Sequence, residues 1–189
     1  MKKLLLCVLG LGLPLLAGAA EYVIDSSHTY PNFTISHLGF SMQHGRFNDT
    51  GGTLVYDPEA GTGSVEIVIR TDSIDTGHAE RDEHLRNADF FNVEEYPEMT
   101  FTSTSASFDG EGKGTVEGEL TLMGVTQPMT LSVDSIVCGE HPFNQKRVCG
   151  FNASGSLKRS DFGMDYGIPM IGDEVTLMLQ VEAIHKDDA

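Results

Sequence analysis

Apolar and polar residues alternate with a period of two along most of this chain. In the run Val175 to Val181 (VTLMLQV) every second position is apolar, and Met129 to Val133 (MTLSV) shows the same spacing. This period is typical of β-strands that have one face toward the interior and the other toward solvent. Turn residues such as Asp57-Pro58 and Gly61 to Gly63 separate the runs. The pattern therefore predicts an all-β protein.

The alternation predicts about eight strands, and most of them are joined by short loops, which favours antiparallel pairing. The predicted strands lie near residues 30–37, 45–57, 63–71, 98–109, 112–123, 127–137, 147–158 and 173–185. A single short helix is predicted from Gly77 to Ala88, inserted after the third of these strands. Such strands can pack as two sheets or close into a barrel, and periodicity alone does not decide between the two.

The segment from Arg81 to Phe101 (RDEHLRNADFFNVEEYPEMTF) interrupts the alternation. It combines charged residues, an aromatic pair and the dipeptide Tyr96-Pro97, which would end a regular element. The segment as a whole is too polar for a core strand. We interpret it as the end of the helix followed by a turn that places Phe90 and Phe91 on an apolar surface.

The first twenty residues have the organisation of a secretory leader. Lys2 and Lys3 form a basic n-region, and Leu4 to Leu16 form an apolar h-region. Ala17 to Ala20 supply the small residues that precede a cleavage site. The apolar run is shorter than the roughly 20 residues that a membrane-spanning helix needs. We therefore expect residues 1–20 to be a signal peptide cleaved after Ala20 or Ala19, and residues 21–189 to form one periplasmic domain without stable membrane insertion.

The chain is acidic, with 28 Asp and Glu against 12 Lys and Arg and a formal net charge of −16. Loss of Lys2 and Lys3 with the leader would make the domain more acidic still. Nucleic-acid binding requires clustered Lys and Arg, so this composition argues against nucleic acid as a partner. It also disfavours electrostatic docking on anionic lipid.

Cys138 and Cys149 are the cysteines outside the predicted leader. They flank a segment with the turn residues Gly139 and Pro142, between two predicted strands. Thiols pair in an oxidising compartment. We therefore expect a disulfide that joins the two strand ends and contributes on the order of 3 kcal/mol to stability. A metal site that also used His141 would have too few ligands.

Catalytic and metal-binding motifs are missing from the sequence. The triplet Asp161-Phe162-Gly163 lacks the accompanying glycine-rich and catalytic loops of kinases. The histidines are scattered through predicted turns and strand ends. We therefore expect no catalytic residue, no metal and no cofactor.

Several segments together resemble the YceI-like family of secreted lipid-binding proteins. Arg81 to Asn92 (RDEHLRNADFFN), followed by Tyr96-Pro97, resembles a signature of that family. Tyr22 to His28 (YVIDSSH) resembles its opening, and Gly118 to Pro128 and Arg159 to Met164 resemble its later motifs. The matches follow one another in the family's order and cover essentially the whole domain.

The resemblance implies an eight-stranded antiparallel lipocalin-like barrel whose interior tunnel holds a polyisoprenoid or similar amphiphilic lipid, with no known catalysis. Inward side chains of the strands and the aromatic pair after the helix would line this tunnel. The expected lining residues are Phe33, Ile35, Ile67, Ile69, Phe90, Phe91, Phe101, Leu120, Leu122, Met129, Leu131, Leu177 and Leu179. Because the chain is so acidic, we expect a neutral lipid head, such as a quinone or an alcohol, at the mouth. The mouth could be shared within a homodimer.

Two other functions fit the same sequence. An enzyme acting on a small hydrophobic substrate in the cavity would require two or more titratable residues, such as His28, His37 and His44, to converge there with a perturbed pKa. A stress-response or interaction protein would instead depend on its outer surface.

Overall fold

The computed structural model describes residues 18–189, which form one antiparallel sheet that closes on itself. Its elements are β1 (Ala20–Ile24), β2 (Tyr30–His37), β3 (Ser41–Phe47), β4 (Thr50–Asp57), β5 (Thr62–Arg70), β6 (Ile74–Asp75), α1 (Ala79–Arg86), β7 (Glu98–Phe108), β8 (Gly114–Leu122), β9 (Val125–Glu140), β10 (Arg147–Lys158) and β11 (Ile171–His185). Short 3₁₀ turns follow β1, β5, β10 and β11.

The strand segments occupy eight positions around a barrel. β1 and β2 both pair with β11, so they form successive lengths of one position. β3 and β4 share the next position, and β5 and β6 share the third. The β1–β11 pairing closes the ring, and neighbouring strands run antiparallel. The predicted eight-stranded antiparallel barrel, with a short helix inserted after the third barrel position, is therefore confirmed.

Strand boundaries agree with the sequence prediction where the alternation is unbroken. β2 and β10 begin and end at the predicted residues. The predicted strand 45–57 is instead divided into β3 and β4. At the division, the Asn48 N–H donates to the carbonyl oxygen of Ser73, which lies outside the strands. β1 and β6, which lie outside the predicted strands, have five and two residues.

Helix α1 is held by local bonds at both of its ends. His78 Nδ1 accepts a hydrogen bond from the Arg81 N–H at 3.3 Å, which caps the first turn. The first turn carries two acidic residues and the last turn two basic ones, the arrangement that the helix dipole favours. Beyond the helix, the Phe91 N–H donates to the Leu85 carbonyl oxygen at 3.0 Å. The chain after α1 therefore folds back against the helix.

Two hydrophobic clusters divide the barrel interior along its length. The first, which we call the filled end, is a closely packed group of buried side chains formed by Tyr22, Ile24, Leu54, Tyr56, Cys149 and Ala183. The second, which we call the cavity end, extends from Val116 and Val133 to Phe47 of β3, Phe90 of the segment after α1 and Phe162 of the turn after β10.

The predicted disulfide is present at the filled end. Cys138 and Cys149 face each other in the β9–β10 ladder, with Cα atoms 4.1 Å apart. Cys149 is fully buried against this cluster. The bond therefore fastens together two strands that also extend to the cavity end.

The predicted signal peptide covers residues 1–20, and residues 1–17 of it lie outside the described part of the chain. β1 begins at Ala20, opposite Tyr56. Cleavage after Ala20 would shorten this strand by one residue. Among residues 18–189, no helix has the length and apolar character needed to cross a membrane.

Candidate ligand cavity

The cavity end of the barrel encloses a space of about 400 Å³. On β11, the lining residues Leu177 and Leu179 alternate with the exposed Thr176 and Met178. The two leucines are only half-buried although they point inward, because they border open space instead of packed side chains. The volume lies within the range of roughly 300–1,000 Å³ that is usual for small-molecule sites.

The structure brings every expected lining residue to this cavity. They come from six different strands and from the segment after α1: Phe33, Ile35, Ile67, Ile69, Phe90, Phe91, Phe101, Leu120, Leu122, Met129, Leu131, Leu177 and Leu179. Their contact with a ligand remains a prediction.

An aromatic row joins the segment after α1 to the barrel wall. The ring of Phe91 meets the ring of Phe47 edge-on, with centroids 5.4 Å apart. Phe47 in turn packs against Phe33 at 5.9 Å. The expected covering role of this segment thus has a definite contact in the structure.

A second aromatic group lies where the cavity meets solvent. His84, Phe90 and Tyr166 each contact the other two, with ring centroids 5.1 to 5.7 Å apart. All three line the cavity. Phe90 is 8% exposed, whereas Tyr166 is 48% exposed. The cavity mouth is therefore bordered by the helix on one side and by the loop between β10 and β11 on the other.

Arg81 connects α1 to β3 beside the cavity mouth. Its Nε–H donates to the Thr76 hydroxyl at 2.7 Å, and its Nη2–H to the Thr76 carbonyl oxygen at 2.8 Å. Its Nη1–H donates to the Gln43 side-chain oxygen of β3 at 3.1 Å. Arg81, Thr76 and Gln43 all line the cavity. The guanidinium group therefore bridges the helix and the neighbouring strand at the cavity wall.

Arg159 has a comparable role on the opposite side of the mouth. It is 2% exposed and donates to the carbonyl oxygens of Met164, Ile171 and Gly172 at 2.8 to 3.1 Å. Burial lowers the pKa of its guanidinium group. These bonds hold both ends of the loop that carries Tyr166.

Some lining residues lie outside the expected set, for two different reasons. Val175 and Val181 continue the alternation of Leu177 and Leu179, so the sequence contained the signal for them. Tyr166 belongs to an irregular loop, where no periodicity indicates which side chains turn inward.

Two of the three histidines named for the enzymatic alternative reach the cavity, so the structure does bring two titratable residues together there. His37 and His44 are among its lining residues, whereas His28 is not. The Nδ1 atom of His28 lies 2.9 Å from Asp25 Oδ2, and this hydrogen bond raises the pKa of the imidazole. Within residues 18–189, no group of three or more His, Cys, Asp and Glu side chains is placed to hold a metal ion.

Residues 22–183 match the YceI-like domain. The chain belongs to the YceI-like family. Protein YceI of Escherichia coli O17:K52:H18 is 43% identical to it over 192 residues, which cover 98% of this chain and 100% of that protein. The family predicted from the ordered motifs is confirmed.

Solved structures show the same YceI-like barrel in more distant proteins. BcnA of Burkholderia cenocepacia superposes with a TM-score of 0.74 at 22% identity, over 85% of this chain and 99% of that one. A polyisoprenoid-binding domain from Saccharophagus degradans gives a TM-score of 0.62 at 18% identity, over 87% of this chain and 98% of that one. At these identities the likeness establishes the shared fold.

Proposed function

We propose that this YceI-like protein holds a polyisoprenoid or similar amphiphilic lipid in the barrel interior, and carries or stores it in the periplasm. The observation that carries the proposal is the cavity of about 400 Å³ with its predominantly apolar wall. The polyisoprenoid-binding domain of the same fold from Saccharophagus degradans supports this choice of ligand class. The predicted signal peptide supports the compartment.

The chemistry of the wall suits a flexible hydrocarbon chain. Each methylene group of a ligand that leaves water contributes about 0.8 kcal/mol, so a prenyl tail supplies its own driving force. Met99, Met129 and Met164 add unbranched side chains that adapt to irregular shapes. Such a cavity can retain an insoluble tail with few polar contacts.

We propose a binding role and not an enzymatic one. The polar groups with the most hydrogen bonds at the mouth, Arg81 and Arg159, hold structural elements together. The wall is otherwise dominated by aliphatic and aromatic side chains. Retention of a ligand requires no more than this.

Extraction of protein purified from its native host, under denaturing conditions and followed by mass spectrometry, tests the proposal. We expect an isoprenoid or related amphiphile in molar proportion to the protein. Protein that is consistently empty, and that takes up no prenyl lipid after purification, would contradict the proposed function.

A pair of neighbouring substitutions gives a sharper test. Leu177→Trp places a large ring in the cavity, whereas Met178→Trp places the same ring on the outer face of β11. We expect the first to weaken prenyl-lipid binding about tenfold or more, since about 1.4 kcal/mol of lost contact is enough. The second should bind as the wild type does. Equal losses in both variants would show that the lipid does not occupy the barrel.

A further inference from the structure

The cavity wall and the rest of the protein differ in charge. The sequence has 28 acidic and 12 basic residues other than histidine. Within residues 18–189, the lining of the cavity includes no Asp or Glu side chain, but it includes Arg81 and Arg159. A strongly acidic protein therefore presents a positive interior wall.

Ion pairing also distinguishes the arginines of the cavity wall from the other arginines. The sequence contains six arginines, all within the described residues. Arg46, Arg70, Arg86 and Arg147 each lie within 4.0 Å of a carboxylate oxygen. Arg81 and Arg159 have no carboxylate oxygen within that distance, and both line the cavity. In a chain with so many carboxylates, the unpaired arginines are those closest to the proposed ligand.

Of these two, Arg81 has the capacity to bind a ligand at the mouth. A guanidinium group has five N–H donors, and Arg81 uses three of them on Thr76 and Gln43. Arg81 is linked to a carboxylate only through Thr76. The Thr76 hydroxyl accepts a hydrogen bond from Arg81 and donates one to Asp82. Asp82 does not line the cavity. Two N–H donors of Arg81 thus remain for another acceptor.

We propose that Arg81 binds an anionic oxygen head group of the lipid, a phosphate or a carboxylate. This inference rests on the proposed function, because it concerns the head of the lipid whose tail fills the cavity. The overall acidity of the chain predicted a neutral head group instead. The head group, however, would contact the cavity wall and not the acidic outer surface. Hydrogen bonds between charged partners are stronger than neutral ones. The acidic exterior would repel an anion, and the positive wall would favour it at the mouth alone.

Three probes with the same tail test this assignment: geranylgeranyl phosphate, geranylgeranoic acid and geranylgeraniol. Their affinities for delipidated protein are measured by competition against a fluorescent lipid. We expect at least one of the anions to bind about tenfold or more tightly than the alcohol, the usual size of a hydrogen bond to a charged group. Preference for one anion over the other identifies the head as phosphate or carboxylate.

Variants of α1 assign the preference to one side chain. Arg81→Gln should weaken the preferred anion about tenfold or more and change the alcohol less than about twofold. Arg81→Lys keeps the charge and should recover part of the loss. Arg86→Gln is the matched control, because it removes the same charge from the same helix but does not line the cavity. It should leave all three affinities unchanged.

Each contrary result has a distinct meaning. If the alcohol binds the wild type as tightly as both anions, the inference fails and the proposed function stands. If Arg81→Gln weakens all three probes equally while circular dichroism shows a folded protein, Arg81 only positions α1 and the inference fails. If Arg81→Gln does not fold, the wild-type ratio and Arg81→Lys decide. If none of the probes binds, both the inference and the proposed function fail.

Discussion

The two ends of this barrel share the same strands but are filled differently. At the filled end, Leu54 is 5% exposed, and the ring of Tyr56 packs edge-on against Phe108 with centroids 5.6 Å apart. At the cavity end, the inward-facing Leu177 and Leu179 border open space and are half-buried. Closure of the sheet into a barrel therefore does not determine whether its interior is packed or contains a cavity.

The contrast suggests that the filled end contributes more to stability and that the cavity end is the place for the proposed ligand. Aromatic rings project into the filled end, and the small Ala183 is fully buried among them. At the cavity end the bulky rings of Phe90 and Phe91 belong to the segment after α1 and lie over the space without filling it. Substitutions at the two ends should therefore have separable effects.

The largest expected difference comes from the same truncation made at each end. Leu54→Ala should lower the free energy of unfolding by about 2–5 kcal/mol, because it leaves a void in a packed core. Leu179→Ala should lower it by about 1 kcal/mol, because the side chain already borders a void. Urea denaturation of the delipidated variants measures both values. Equal losses would mean that the cavity end is as tightly packed as the filled end.

Removal of the disulfide tests how far the filled end stabilises the whole barrel. Cys138→Ala combined with Cys149→Ala should lower the free energy of unfolding by about 3 kcal/mol, through the greater entropy of the unfolded chain. At a temperature where the variant is folded, we expect its lipid affinity to match that of the wild type. Reduction of the wild type with dithiothreitol provides the control. Loss of lipid affinity in a folded variant would contradict the separation of the two ends.

The smallest effect concerns the chain terminus at the filled end. Arg147 Nε lies 2.8 Å from Asp188 Oδ2, and hydrogen bonds from Arg147 lower the pKa of Asp188 from 3.8 to about 2. A lowered carboxyl pKa adds stability above its unfolded value, and this stability is lost as the pH falls from about 4 to about 2.

We therefore expect Asp188→Asn to lower the urea midpoint slightly at pH 7. The difference from the wild type should shrink as the pH falls through the same interval. Lipid affinity should not change, because the proposed lipid site is at the other end. A difference between the two proteins that stays constant down to pH 2 would show that ionisation of Asp188 does not cause it.

The two-residue period predicted the strands, and the resemblance to the YceI-like family predicted their closure into a barrel. β2 and β10 have the predicted boundaries. The division between β3 and β4 was not predicted, and it coincides with a bond between Asn48 and Ser73, which are distant in the chain. Local pattern indicates where a strand can form, but not where it is divided.

The same distinction applies to the candidate site. Residues on regular strands, such as Leu177 and Leu179, could be placed from alternation alone. Tyr166 could not, since its loop is positioned by the bonds of the buried Arg159 to three carbonyl oxygens. The positive wall was equally hidden, because composition gives the total charge of a protein and not its distribution between the cavity and the surface.

β11 runs through both ends, and its pairing with β10 is continuous from Val148 opposite Ile184 to Lys158 opposite Glu174. A slip of one residue would turn Thr176, Met178 and Gln180 inward and the leucines outward. The resulting barrel would still close, but its lumen would reject lipid. The disulfide next to Val148 holds β10 in place against β9. Disulfide formation at the filled end thus helps to fix the register of β10, a strand whose Leu157 lines the cavity at the other end.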